Sequence, residues 1–220
     1  MKMLLHFYTV FCCIVLFLLA GCATTGGGGG HSSVPEKAKI SGLEWHPTMK
    51  LSDLDEASIS VYRSITVTIV ALEDVRENVS IIGKVPEDMR VRDTFIPVAT
   101  KRNVAKWCKT ALLKSFSMMG IPTAPKKGQL LLEVDLTEVI INDDITQSGT
   151  VGLRVSARNA EDMLVWEGRI SGKSDLYTKP KDSNGISECL SNTVLVTLEN
   201  LLKEQSFRDA VVKSFELQNP

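Results

Sequence analysis

The sequence contains few of the residues that build catalytic and metal centres. Its 220 residues include three histidines and five cysteines, and aromatic residues make up 6% of the chain. No histidine pair stands at metalloprotease spacing, and no cysteine pair stands at the spacing of a zinc site. These absences exclude the common metal sites, so we expect no metal and no cofactor.

Neither sign of charge dominates the chain. It has 25 Lys and Arg residues against 26 Asp and Glu residues, which gives a formal net charge of −1 at pH 7. Nucleic-acid-binding domains usually carry a basic excess, and an anionic membrane surface attracts polybasic patches. We therefore expect no nucleic-acid partner and no polybasic surface for anionic lipid.

Motifs for nucleotide binding or nucleophilic catalysis are also missing. The stretch Gly168–Ser174 approaches a phosphate-binding loop, but three residues separate its glycines where four are required, and it lies inside a strand pattern. Ser174 lacks the second glycine of a nucleophile elbow, because Leu176 stands in that place. The sequence predicts a protein that is not an enzyme. A hydrolase with scattered catalytic residues is the alternative of a different class.

The N-terminal apolar run is too short to cross a membrane. Phe7 to Ala20 gives 14 apolar residues, whereas a spanning helix needs about 20. The run ends in Leu19-Ala20-Gly21-Cys22, which resembles a bacterial lipoprotein signal. The resemblance implies cleavage after Gly21, a diacylglyceryl group on the Cys22 thiol and acylation of the new amine, so that acyl chains such as palmitate hold the protein on a membrane. An ordinary secretory signal is the alternative.

Composition divides the rest of the chain into three parts. Residues 1–21 are the predicted signal peptide, and residues 22–37 form a tether that contains the five-glycine run Gly26–Gly30. Residues 38–63 are predicted to be an extended arm that lies on the domain, because Pro47 interrupts their apolar positions. Residues 64–220 are predicted to form a single domain.

Hydrophobic periodicity within residues 64–220 predicts a strand, a helix, three antiparallel strands and then further helix. The predicted strands are Ser64–Ala71, Leu130–Thr137, Val151–Ala157 and Leu164–Leu176, and the predicted helices are Lys101–Met119, Ile186–Leu202 and a short Phe207–Phe215. Residues 73–100 are predicted to be a long loop. We expect an α+β two-layer sandwich, with a mainly antiparallel four-stranded sheet and two amphipathic helices on one face.

Two residue pairs are candidates for specific roles. Cys108 and Cys189 are the cysteines left after the signal and Cys22, and they either form one disulfide or serve as separate buried side chains. Asp74 and Arg76 stand two positions apart at a predicted strand end, where they form either a structural ion pair or an anchor for a partner.

Several of these features together resemble the YajG family of bacterial lipoproteins. They are the lipobox at Cys22, the sequence Leu72–Arg76 with Ile82-Gly83 after it, the helix ending at Gly120, and the Trp166-Glu167-Gly168 strand. The resemblance implies an envelope lipoprotein without enzyme activity. The five-glycine tether and the stretch around Pro86 to Pro97 depart from the family pattern.

The lipoprotein resemblance also predicts where the protein works. Ala23 and Thr24 follow the lipidated cysteine, and the lack of Asp there implies sorting to the outer membrane, with the domain facing the periplasm. We expect a non-catalytic module that binds another envelope protein. An accessory subunit of an envelope transport or assembly machine, or an activator of a cell-wall synthase, is the alternative.

Overall fold

A mixed β-sheet with helices packed on one face forms the core of the protein. The computed structural model describes residues 34–50, 56–88, 90, 94–143, 146–176 and 183–216. In chain order the elements are β1 (Lys39–Ile40), α1 (Glu56–Arg63), β2 (Val67–Asp74), β3 (Ile81–Pro86), β4 (Phe95–Ala99), α2 (Val104–Met118), β5 (Leu130–Asp143), β6 (Gln147–Asn159), β7 (Leu164–Leu176), α3 (Ser183–Lys203) and α4 (Gln205–Glu216). None of the helices in these ranges is long and apolar enough to cross a membrane.

The predicted α+β class is confirmed, but the predicted numbers of strands and helices are wrong. Within the described residues the sheet has seven strands, in the order β1-β4-β3-β5-β6-β7 with β2 also beside β5, and there are four helices. Strands β5, β6 and β7 form an antiparallel meander, as predicted. The sheet is mixed because β2 and β3 both run parallel to β5.

Strand β5 is the centre of the sheet because two strands share one of its edges. β2 pairs with its first half, from Val67 opposite Leu130 to Asp74 opposite Leu136. β3 pairs with its far end, where Gly83 lies opposite Ile141. A Cβ at Gly83 would lie 2.2 Å from the Ile141 carbonyl oxygen, so this position requires glycine. Residues 75–80 leave the sheet between the two strands.

The predicted loop of residues 73–100 is wrong, because it contains the antiparallel hairpin of β3 and β4. Proline weakened the strand signal there, since proline cannot donate a ladder hydrogen bond. Pro86 is the last residue of β3, and Pro97 precedes the two residues of β4 that pair with β1. Both prolines therefore lie where the chain has fewer strand neighbours than in the centre of the sheet.

The predicted extended arm differs from the structure at its C-terminal end. Residues 56–63 form helix α1 instead. Tyr62 explains why this short helix is stable, because its ring stacks on Phe207 at a centroid distance of 5.8 Å and its hydroxyl donates to the Leu202 carbonyl at 3.3 Å. These are tertiary contacts, which local periodicity does not show.

Helices α2, α3 and α4 cover one face of the sheet. Gly172 of β7 lets α3 approach, because a Cβ there would lie 2.5 Å from the backbone nitrogen of Thr197. A glycine within a strand is typical of such close backbone approach. The space beside Gly168 is filled by the ring of Trp166, which packs edge-to-face on Phe207 of α4 at 5.0 Å.

Candidate functional site

Residues 34–50 run along helix α3 and are bound by side chains of that helix. We call this observed segment the arm; it overlaps only the first part of the predicted arm of residues 38–63. Three side chains of α3 accept hydrogen bonds from arm backbone amides: Ser187 Oγ from Glu44 at 3.2 Å, Ser191 Oγ from His46 at 2.9 Å, and Asn192 Oδ1 from Thr48 and Met49, both at 3.0 Å. Ser191 and Asn192 follow Ser187 by four and five positions, about one helical turn, so the three side chains lie along one side of α3. This ladder fixes the path of the arm across the helical layer.

A groove of about 470 Å³ lies between the arm and helix α2. We call it the arm groove. Its walls carry two indoles, three cationic side chains and one carboxylate: Trp45, Trp107, Arg102, Lys106, Lys114 and Glu44. The arm groove is therefore both aromatic and basic, although the chain as a whole is nearly neutral.

Helix α2 presents one of its sides to the arm groove. Asn103, Lys106, Thr110 and Lys114 all line it, and their spacing of three or four residues brings them to the same side of the helix. Asn103 caps the helix, because its side chain accepts a hydrogen bond from the Lys106 amide at 2.8 Å. The first turn contains no acidic residue. The positive end of the helix dipole therefore lies at the groove without a carboxylate of its own helix to offset it.

The charges of the arm groove are only partly compensated. Arg102 and Glu44 approach to 3.9 Å, and their side chains are 60% and 71% exposed, so the pair is weak. Lys106 and Lys114 form no ion pair within the described part of the chain. The groove therefore has an excess of positive charge.

Trp107 has a buried N–H group without a hydrogen-bond acceptor among the described residues. The residue is 8% exposed, and the group is its indole Nε1. A buried donor without an acceptor costs about 1–3 kcal/mol. Trp45, on the opposite wall, is half-buried.

Asp74 and Arg76 form a buried bidentate ion pair. Arg76 Nε donates to Asp74 Oδ1 at 2.7 Å and Nη2 donates to Oδ2 at 2.6 Å, and the two side chains are 10% or less exposed. The guanidinium also donates to the carbonyls of Ile81 and Val79, both at 2.8 Å. Its hydrogen bonds therefore hold residues 75–80 between β2 and β3, which is the geometry of a structural pair.

Cys108 and Cys189 are two free, buried thiols, so no disulfide joins them in this structure. Burial, with a smaller contribution from the Asp74 charge, raises the pKa of Cys108 to about 12. Burial also raises the pKa of Cys189 to about 11, although hydrogen bonds with Ser174 and Thr193 oppose that shift. Both thiols are protonated at neutral pH, which makes them poor nucleophiles.

Two other predictions concern lipid attachment and metal binding. Cys22, the predicted lipidation site, lies outside the described residues. In the described ranges no group of three or more His, Cys, Asp or Glu side chains is placed to hold a metal ion.

Sequence reasoning missed the arm groove. Trp107 has the helical spacing of a core residue, and Lys106 lies beside it on what the periodicity predicts to be the solvent side of α2. The regular spacing of Lys106, Thr110 and Lys114 is a signal for a polar stripe. The sequence could not show that the arm returns to cover this stripe, because the two segments are about 60 residues apart.

Several solved structures resemble the chain at low similarity. A Xanthomonas campestris protein of the family DUF330 has 7% identity and a TM-score of 0.46, covering 83% of this chain and 99% of its own. A Caulobacter crescentus protein provisionally named a lipoprotein has 9% identity and a TM-score of 0.36, covering 74% and 98%. A minor lipoprotein from Acinetobacter baumannii has 8% identity and a TM-score of 0.28, covering 66% and 94%.

No family model and no curated protein matches the sequence. The structural neighbours thus include bacterial lipoproteins, but those names describe the neighbours. At these TM-scores they assign neither a family nor a function to this chain. The resemblance to the YajG family stays a prediction from the sequence.

Proposed function

We propose that this protein is a lipid-anchored lipoprotein of the bacterial envelope that acts as a non-catalytic binding or accessory module. The observation that carries the proposal is the sequence Leu19-Ala20-Gly21-Cys22 at the end of a 14-residue apolar run. Acylation at Cys22 by two or more chains makes attachment effectively permanent, because each buried CH₂ contributes about 0.8 kcal/mol.

The position of the arm supports work close to a membrane surface. Val34, the first described residue, follows Cys22 by 12 positions. A fully extended chain of that length spans at most about 40 Å. The arm then continues directly onto α3 and along one wall of the arm groove. An anchor at Cys22 would therefore be at most about 40 Å of extended chain from the start of the arm.

The chemistry of the described residues supports binding rather than catalysis. The two thiols are buried and protonated, and the Asp74–Arg76 pair uses its hydrogen-bonding groups inside its own loop. The arm groove instead offers indoles and cations, which bind ligands without acting as nucleophiles. We place the protein at the outer membrane, facing the periplasm, because Ala23 and Thr24 carry no Asp retention signal.

Substitution of the predicted lipidation site tests the proposal. We expect Cys22→Ser to abolish incorporation of a palmitate analogue and to leave a larger, unprocessed precursor, because acylation precedes cleavage. The measurement is metabolic labelling with gel mobility of the membrane fraction.

Cys13→Ser is the matched control, because Cys13 lies within the same leader but outside the lipobox. This variant should be labelled and processed like the parent protein. Labelled and processed Cys22→Ser protein would contradict the proposal.

A further inference from the structure

Strand β7 forms one edge of the sheet. It pairs with β6, and no strand of the described residues lies on its other side. The pairing with β6 is regular from Trp166 to Leu176, without a bulge. A strand edge of this length presents a row of outward-pointing backbone N–H and C=O groups, which can pair with another extended chain.

Helix α3 approaches the backbone of β7 from the helix-covered face. The Asn200 side chain donates to the Ser171 carbonyl at 2.9 Å, and the Cys189 thiol approaches the Ser174 carbonyl at 3.9 Å. A backbone carbonyl oxygen has two lone pairs, so each of these contacts leaves the oxygen able to accept a second hydrogen bond. The contacts from α3 therefore do not prevent a further strand from pairing with β7.

Four charged side chains of β7 lie on the open face of the sheet. Glu167, Arg169, Lys173 and Asp175 are exposed, and their even spacing places them on one face of the strand. Within the described ranges none of the four forms an ion pair. Their signs run negative, positive, positive, negative along the strand. An antiparallel partner with the same sequence therefore meets complementary charges in some registers and like charges in others.

A twofold axis through Ile170 makes the charges of two β7 strands complementary. Residues that lie opposite each other in an antiparallel pair are on the same face, about 4.5–5.5 Å apart at Cβ. With this axis Glu167 of each copy lies opposite Lys173 of the other copy, and Arg169 lies opposite the small, neutral Ser171. Two opposite-charge pairs form, and no like charges lie directly opposite each other.

Neighbouring registers are unfavourable. An axis through Ser171 places Glu167 opposite Asp175 and Arg169 opposite Lys173, and an axis through Arg169 places the two Arg169 side chains opposite each other. Like charges directly opposite are destabilising. The charge pattern of β7 therefore specifies the register of its self-pairing.

The helix-covered face of β7 favours the same axis. Ile170 is half-buried and packs on the core, and the axis brings the two Ile170 side chains together. An axis through Gly172 would pair Arg169 with Asp175, but it would place Ile170 opposite Ser174, whose hydroxyl already donates to the Cys189 carbonyl at 3.0 Å. Apolar contact and charge therefore both favour the axis through Ile170.

We propose that β7 is a self-association edge, through which two copies of this protein join their sheets. The two strands pair antiparallel over residues 166–174, about a twofold axis at Ile170. Nine residues on each strand give about eight backbone hydrogen bonds, because alternate residues of an antiparallel pair exchange two bonds each. The proposal adds a second copy as a partner, and it does not depend on lipid attachment at Cys22.

Disulfide trapping in the full chain tests the register. Glu167→Cys and Lys173→Cys chains with different affinity tags are co-expressed and purified in nonionic detergent. Hydrogen-bonded antiparallel pairs have a Cα–Cα distance of about 5.5 Å, which a disulfide accepts. Mild oxidation should therefore give a dimer that carries both tags, and mass spectrometry should locate the bond between positions 167 and 173.

Each cysteine variant expressed alone is the matched control. Position 167 of one copy lies six residues along the strand from position 167 of the other, about 20 Å. Neither variant alone should therefore form a disulfide at the introduced cysteine. The native cysteines are present in every sample, so any bond that they form appears in the controls as well.

Charge reversal tests the pairing without a cross-link. Glu167→Lys and Lys173→Glu each convert both symmetry-related pairs into like-charge pairs, so we expect the dimer dissociation constant to rise by about tenfold. The double variant Glu167→Lys/Lys173→Glu restores opposite charges and should associate like the parent protein. Glu73→Lys, at an exposed glutamate of β2, is the control and should also associate like the parent. Sedimentation velocity in density-matched detergent measures the constants.

Three results would overturn the proposal. They are a parent protein that stays monomeric at every concentration, a mixed sample without the bond between positions 167 and 173, and a double variant that associates as weakly as the single variants. Circular dichroism verifies that each variant is folded. Palmitate labelling of Cys22 is read separately, so failure of the anchor and failure of the self-association edge are distinguishable.

Discussion

Arg76 illustrates how one side chain can determine the shape of a sheet edge. Its guanidinium donates to two oxygens of Asp74 and to the carbonyls of Ile81 and Val79. All four acceptors belong to the segment between β2 and β3 or to its ends. The planar arrangement of five donors lets arginine satisfy them together, which lysine cannot do.

Removal of this side chain should destabilise the fold strongly. We expect Arg76→Ala to lower the free energy of unfolding by about 3–5 kcal/mol, because the buried Asp74 carboxylate loses its counter-charge. Urea unfolding followed by circular dichroism measures the change.

The exposed pair of Arg154 and Asp135 provides the comparison. These side chains are 44% and 27% exposed, so Arg154→Ala should lower the free energy of unfolding far less than Arg76→Ala. If Arg76→Ala were no more destabilising than Arg154→Ala, the account of Arg76 as a structural residue would be wrong.

At the level of elements, α3 has two differently used sides. One side packs closely on the sheet, where a Cβ at Gly149 would lie 2.4 Å from Thr193 Oγ1. The other side holds the arm through Ser187, Ser191 and Asn192. Small polar residues serve both purposes, because they allow close backbone approach and still provide hydrogen-bonding groups.

Asn192 should be the main attachment of the arm's C-terminal part. Its Oδ1 accepts from the amides of Thr48 and Met49. We expect Asn192→Ala to accelerate hydrogen exchange at these two amides by at least about tenfold, since loss of about 1.4 kcal/mol of local stability has that effect. Exchange measured by NMR or mass spectrometry provides the rates.

Asn200→Ala is the matched control for this experiment. Asn200 lies on the same helix, but its side chain donates to the Ser171 carbonyl of β7 rather than to the arm. Exchange at Thr48 and Met49 should therefore match that of the parent protein. Equal acceleration in both variants would mean that the helix as a whole is loosened and that the ladder does not hold the arm.

Long periodic elements are the part of the fold that the sequence predicts well. The strand Leu164–Leu176 is found with the predicted bounds, and α2 begins three residues later than predicted and ends one residue earlier. Both have apolar positions on one face that meet the same core. Sequence patterns suffice there because local period and tertiary packing agree.

Elements stabilised by distant partners are the part that the sequence does not predict. β1 has two residues and depends on β4, and α1 depends on the stacking of Tyr62 against Phe207. β3 and β4 carry proline and a glycine that faces β5. For the same reason the arm groove was not predictable, since its walls come from segments that meet only after folding.

At the scale of the whole molecule, the two faces of the sheet have separate roles. The helix-covered face contains the core, and the other face carries charged cross-strand pairs such as Asp135 with Arg154 and Glu133 with Arg158. The arm packs along α3 and forms a wall of the arm groove. The described residues therefore combine a packed core with a basic, aromatic groove.

Mass spectrometry of the mature N-terminus tests the central claim most directly. Trypsin should release the peptide Cys22–Lys37 from protein isolated from membranes. The account predicts that this peptide carries a diacylglyceryl group on the Cys22 sulfur and an acyl chain on its amine. An unmodified peptide that begins at Cys22, or a chain that still contains residues 1–21, would contradict it.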